Sequence, residues 1–172
     1  MRVLLFFDQT QAGAGGKERP NVELAVEKGG IGSYHMFEGN LESIDAVVLA
    51  TMYCGNGYFF DNEEIVKRKV VGMVKKLKAD MVICGPCFNY HDYAQMSAIL
   101  ALEIEKETDS KAIVMCSQEN EDVIAAFKDK VTIVKMPKKG GTGLRDSFAA
   151  MAKVLVAKNQ NEPLDGYSSF LY

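Results

Sequence analysis

Five short apolar runs punctuate the chain: Val3–Phe7, Ala46–Ala50, Met81–Ile83, Ala112–Met115 and Val131–Val134. Each is too short for a helix and continuous rather than alternating, the pattern of strands covered on both faces. Between most of them the apolar spacing changes to threes and fours. Asp61 followed by Glu64 reads as a capping-box variant, after which Val66, Val70, Met73 and Leu77 share one face. A second helix is expected from about Asp92 to Glu107, with Tyr93, Met96 and Leu100 on its stripe, and a short third over Glu121–Phe127. Leu144, Phe148, Met151 and Leu155 mark the last.

This alternation predicts a single α/β domain over residues 1–172: a doubly wound, mostly parallel five-stranded sheet, flavodoxin- or Rossmann-like, with helices on both faces. Residues 9–38, with "AGAGGKERPN" and "EKGGIGS", break the pattern as a long irregular excursion that carries a small extra strand or helical turn. A loop of that length in a compact domain is usually functional or mobile. The tail, residues 159–172, has three aromatics without periodicity and either packs on the body or reaches for a partner.

Composition narrows the function classes. Hydrophobic residues at 48% and charged residues at 25% of 172 suit an ordinary globular domain with a proper core. A net charge of −3 argues against a nucleic-acid partner, which requires a basic face. "KRKVVGMVKKLK" is basic but has helical spacing and acidic neighbours, as a solvated helix face does. The N-terminus has too short an apolar run and no cleavage site for a signal peptide, and no run is long enough to span a bilayer, so the expected location is cytoplasmic.

In open α/β sheets ligands bind beyond the carboxyl ends of the strands. Those ends read Asp8-Gln9-Thr10, Thr51 to Gly55, Cys84 to Asn89, Cys116 to Asn120 and Pro137 to Gly143, so all four cysteines fall on this edge. Three readings of them compete: buried structural thiols, a four-cysteine metal or iron–sulfur site, and a redox pair at Cys84-Gly85-Pro86-Cys87. That last motif has the letters of a thioredoxin centre. Its context argues otherwise, because a parallel continuation follows, the chain has no tryptophan, and "FNYHDY" delays the next helix. "KKGGTGLRDS" opens a helix with glycines, as an anion site does, yet equally suits a plain turn and matches no phosphate-loop fingerprint. His91 is either an acid/base group or a helix cap.

Taken in order, "TMYCGNGYF", "ICGPCFNYHDY", "SQEN" and "GLRDSFAAMAKVLVA" resemble the substrate-specific component B of glycine, sarcosine and betaine reductases. The family's loops read T-x-x-C-G-D-x-Y-F, A-G-P-A-F-N with a Gly-Arg-Tyr-Gly continuation, E-E-N, and G-M-R leading a final helix. The likeness covers roughly residues 46 to 166 and is weaker at the N-terminus. Cys54 matches a family cysteine, whereas Cys84 and Cys87 stand where the family has small residues. "NYHDYA" departs from the continuation and retains only Tyr93. The family works through a selenocysteine in a U-x-x-C motif later in a longer chain, so this chain is expected to correspond to the first α/β half.

The resemblance implies an oxidoreductase subunit acting in reductive C–N cleavage of a glycine-like molecule. Rival readings are a non-catalytic binding or assembly subunit, and a dithiol reductase using Cys84 and Cys87. The expected site has Cys54 and Glu119 as catalytic groups. Thr51, Gly55, Gly85, Asn89, Tyr93 and Asn120 would line it, and Gly141, Gly143 and Arg145 would grip a carboxylate. The expected partners are a small carboxylate substrate and either other reductase subunits or further copies of the chain; no membrane, metal or cofactor is expected in this chain.

Overall fold

The computed structural model describes residues 1–172. Six strands form one sheet: β1 Arg2–Asp8, β2 Ala25–Lys28, β3 Val47–Cys54, β4 Met81–Cys84, β5 Lys111–Ser117 and β6 Thr132–Met136. Their order is β2-β3-β1-β4-β5-β6. β1 pairs in parallel with β3 and β4, β4 with β5, and β5 with β6, while β2 lies antiparallel on β3. The doubly wound α/β class is as expected; the strand count is six, not five.

The extra strand comes from the excursion. Ala25–Lys28 pairs with Ala50–Tyr53, while pairing with β1 carries β3 on to Cys54, opposite Asp8. Thr51 and Cys54 therefore belong to the strand and not to a loop after it. Three of the four β2 residues are exposed, and Glu27 and Lys28 place charge on the sheet's outer edge, which discourages further strand pairing.

The helices are α1 Glu38–Glu42, α2 Asn56–Asp61, α3 Glu63–Leu77, α4 His91–Glu107, α5 Glu121–Phe127 and α6 Leu144–Asn159. Strand alternation divides them between two cores. Leu4 and Phe6 of β1 face Phe59, Val66, Val70, Tyr93, Met96 and Leu100 of α2, α3 and α4. Val3, Leu5 and Phe7 face the other side, with Leu41 of α1 and Phe148, Met151 and Leu155 of α6. Each such fully buried aliphatic or aromatic side chain contributes about 1.5–3 kcal/mol, so the two-sided pattern of β1 alone fixes both layers.

One local expectation is corrected, and one open alternative is decided. Asp61 ends a separate short helix, and α3 starts at Glu63 with no side-chain cap, so the Asp61–Glu64 capping box does not form. The tail packs on the body: Leu171 bridges Val134, and the Tyr172 N–H donates to the Ile133 carbonyl at 3.2 Å.

Candidate functional site

Leaving β1, the chain turns to β3 on one side; from β3 it crosses back to β4 on the other. The carboxyl ends of β1 and β4 therefore diverge into the crevice where such sheets bind ligands. A cavity of about 370 Å³ occupies it, lined among others by Asp8, Gln9, Lys17, Asn56, Tyr90 and His91.

Asp8 ends β1 almost completely buried, and its Oδ1 accepts the Gln11 N–H at 2.7 Å. Burial pushes its carboxyl above the usual range, opposed by the backbone N–H groups of Gln11 and Thr10, the Asn56 side chain and the Lys17 charge. Gln9 is 2% exposed. Its Nε2 donates to the Gly16 carbonyl at 3.4 Å, which leaves Oε1 buried without a partner. Asn56, the first residue of α2, likewise leaves Oδ1 unpaired. Lys17 extends its ammonium over the Tyr90 ring, 4.5 Å from the centroid. His91 opens α4 and meets Asp122 of α5 at 2.7 Å through Nε2. Hydrogen bonds to Asp122 and then Asp92 raise its pKa, so the ring serves as an inter-helix ion-pair partner and not as a cap.

Across Tyr90 lies a second cavity of about 330 Å³, between the loop after β4 and the glycine-rich loop after β6; Asn89 and Gly141 line it. Glu119 braces this loop by accepting the Lys139 N–H at 2.8 Å. Its carboxyl is held below the ordinary range by the Ser117 hydroxyl and then by that N–H. The one hydroxyl hydrogen of Ser117 also faces the Phe88 carbonyl at 3.0 Å, so the Lys139 N–H is the firmer partner.

The sequence-predicted residues do not converge on one point. Tyr93 lines the first cavity, but its hydroxyl is committed to the Phe6 carbonyl at 3.0 Å. Asn120 holds the loop after β4, donating to the Phe88 carbonyl at 2.8 Å, with its Oδ1 left unpaired. Thr51 donates to the Gly29 carbonyl at 2.8 Å and so anchors the excursion. Gly55 lets the excursion approach α2, since a Cβ there would lie 2.0 Å from the Pro20 carbonyl oxygen. Gly85 sits at φ 130°, and a Cβ there would lie 2.9 Å from the Met115 carbonyl oxygen. Gly143 precedes α6 in the left-handed region, and Arg145 in the first turn is exposed, lining neither cavity.

All four cysteines are at the carboxyl edge, as expected, but all are free and buried. Cys54 lies against Met96, Sγ to Sδ 3.8 Å, and burial pushes its thiol up to about 12. Cys116 rises to about 12 for the same reason, and Cys84 and Cys87 are raised too. Cys87 packs its sulfur 3.3 Å from the Ser97 hydroxyl. No group of three or more His, Cys, Asp or Glu side chains is placed to hold a metal ion.

The largest depression, about 870 Å³, is at the opposite, amino edge, where Lys75, Lys78, Lys106, Asp80 and Asp109 ring a polar notch. No helix is long and apolar enough to cross a membrane. Sequence reasoning named the β1 end but passed over Gln9, Lys17, Asn56 and Tyr90 as site residues. The usable signal was Asp8-Gln9, two polar residues closing an apolar strand beside the switch point.

The chain matches the model of the glycine/sarcosine/betaine reductase selenoprotein B family over residues 1–169. It is 25% identical over 162 residues to the sarcosine reductase complex component B subunit beta of Peptoclostridium acidaminophilum, covering 94% of this chain and 36% of that one. To the glycine reductase complex component B subunit gamma of the same organism it is 26% identical over 166 residues, 96% of this chain and 37% of the relative. To its betaine reductase complex component B subunit beta it is 22% identical over 170 residues, 95% and 37%. The chain thus spans little more than a third of these relatives' length. No solved structure matches significantly. With a match running from the first residue almost to the last, this chain belongs to the glycine/sarcosine/betaine reductase selenoprotein B family.

Proposed function

We propose that this chain is the binding portion of a component B-type reductase, holding a small glycine-like carboxylate at the carboxyl edge of its sheet while its C–N bond is cleaved reductively. The observation that carries this reading is the switch-point crevice, which gathers polar side chains from the ends of three connections while every thiol nearby is buried and protonated. The relatives' names, for glycine, sarcosine and betaine reduction, support the substrate class. Asn89, Gly141 and Gly143 shape the neighbouring rim. Arg145, exposed on the first turn of α6 outside both cavities, stands free to steer a carboxylate toward this edge. Cys54, 0% exposed, has no route to attack a substrate in this conformation; a thiolate there requires β3 and α4 to part. The partners in this reading are other reductase subunits, which supply the reducing chemistry.

Calorimetric titration with glycine, sarcosine and betaine tests the reading, with at least one of them expected to bind. Failure of all three sinks it. The rival dithiol activity is tested by turnover of insulin disulfides, and no turnover is expected. A reduction potential near the thioredoxin value of about −270 mV with fast turnover would make Cys84 and Cys87 the centre instead.

A further inference from the structure

The outward face of α3 carries a pattern that the fold does not use. Ile65, 42% exposed, and Gly72, exposed two turns later, lie on one line along the helix. Arg68 and Lys75 flank that line about 60° to one side, Lys69 and Lys76 about 40° to the other. All four cations are exposed, and none joins an ion pair. Lys67, by contrast, reaches toward α4 and is held by Glu63, Glu64 and Glu103. Gly72 stands inside the helix, where glycine is the poorest choice after proline, and a Cβ there would meet nothing within 4 Å. No contact within the chain requires it. A bare backbone on an exposed helix face suits the close approach of another backbone. The cationic border runs on through Lys75 and Lys78 to the amino-edge notch.

We infer that this face of α3 is a docking surface for an acidic helix of another reductase subunit, laid along the line of Ile65 and Gly72 with its carboxylates reaching the cations on both sides. A small or apolar seam bordered by charges is the arrangement of paired helices. The inference goes beyond the ligand reading at the carboxyl edge and rests only on the reading that the partners are other subunits, which the relatives' names as complex components support. A nucleic acid or an anionic membrane fits the face less well. The chain as a whole carries a charge of −3, which repels a polyanion, and an apolar central line adds nothing to phosphate contacts.

The test is titration of the full chain, by NMR and calorimetry at low ionic strength, with an end-blocked acidic model helix of Glu-Ala-Ala-Leu repeats, about 20 residues long so that it is helical alone. Binding is expected, with chemical-shift changes confined to residues 65–78. The double variant Lys69→Glu, Lys76→Glu should weaken it roughly tenfold or more. Gly72→Leu should weaken it roughly fivefold or more while its urea midpoint rises, because leucine favours the helix and blocks the approach. Opposite movement of binding and stability separates docking from damage to α3. No binding, shifts elsewhere on the surface, or unchanged affinity in Gly72→Leu overturns the docking surface and leaves the ligand reading standing. Tighter binding of single-stranded RNA or of phosphatidylglycerol vesicles than of the peptide also overturns it. So does dimerisation in analytical ultracentrifugation that the double variant abolishes, which would give the face to a second copy of the chain. Failure of glycine, sarcosine and betaine to bind sinks the ligand reading alone.

Discussion

The two edges of the sheet make opposite use of polar residues. The amino edge has the larger depression, about 870 Å³ against about 370 Å³ at the switch point. Several of its polar groups, however, are committed within the fold. Lys158 pairs with Glu105 at 2.7 Å, Lys111 reaches the Lys158 carbonyl at 2.5 Å, and the buried Ser110 hydroxyl donates to the Ala79 carbonyl at 2.6 Å. The three buried side-chain atoms without a partner, on Gln9, Asn56 and Asn120, all belong to the carboxyl edge. Unsatisfied buried groups, not cavity size, separate a surface that tolerates water from one organised to receive something else.

Removing the wall between site and core should break the comparison most. Tyr93→Ala deletes a fully buried ring under the switch point and should cost about 3–5 kcal/mol in urea unfolding, whereas Tyr93→Phe removes only the bond to the Phe6 carbonyl and should cost about 1 kcal/mol. A loss as large for Phe as for Ala would make the hydroxyl, not the packing, the support of the crevice.

Gly55→Ala comes next. The added methyl meets backbone and not a flexible side chain, so a loss of about 1–3 kcal/mol is expected, with greater protease sensitivity in residues 9–38 as the excursion lifts. Full stability would mean that the excursion is not seated on α2.

The amino edge sharpens the contrast from the other side. Lys78 ends α3 in the left-handed region at φ 49°. Lys78→Gly should raise stability by about 0.5–1 kcal/mol, because glycine carries no penalty there. It should leave every ligand titration unchanged; altered binding would show the two edges to be coupled.

The smallest effect concerns pH. Hydrogen bonds to Asp122 and Asp92 hold His91 above its ordinary 6.5 in the folded chain. The pair therefore stabilises fully below 6.5 and loses its contribution as pH rises through the raised folded value. An NMR titration should show the His91 pKa falling in Asp122→Asn; an unmoved pKa would remove the α4–α5 ion pair. Arg145→Ala, at an exposed site, should shift stability by no more than about 0.5 kcal/mol and act only on ligand binding.

Much of this fold is written in short-range pattern. The run Val3–Phe7 reads as a strand buried on both faces because it is continuous and too short for a helix, and Leu144, Phe148, Met151 and Leu155 read as the buried stripe of a helix because their spacing matches its period. The excursion was less legible: "NVELAVEK" is half polar, and Ala25–Lys28 became a strand only because β3 offered it an open edge. The site was legible to the level of an edge. Parallel strands with right-handed crossovers place every strand-to-helix connection on the same side, so reading the strand ends located all four cysteines correctly.

What the sequence by itself determined is therefore the order of elements, the face each apolar residue buries, and the edge at which chemistry collects. Those follow from local periodicity and chain connectivity, which linear spacing encodes. Only the tertiary structure decided which residues on that edge remain available. Thr51 and Tyr93 look like ligand positioners in the sequence but spend their hydroxyls on the Gly29 and Phe6 carbonyls, across separations of 22 and 87 residues. Cys54 looks like a nucleophile until α4 covers it. Gln9 looks like an ordinary turn residue until the carbonyl of Gly16 takes its amide and leaves its oxygen alone. Whether a polar atom is satisfied depends on what the folded chain brings within about 3 Å of it, and no local pattern carries that information.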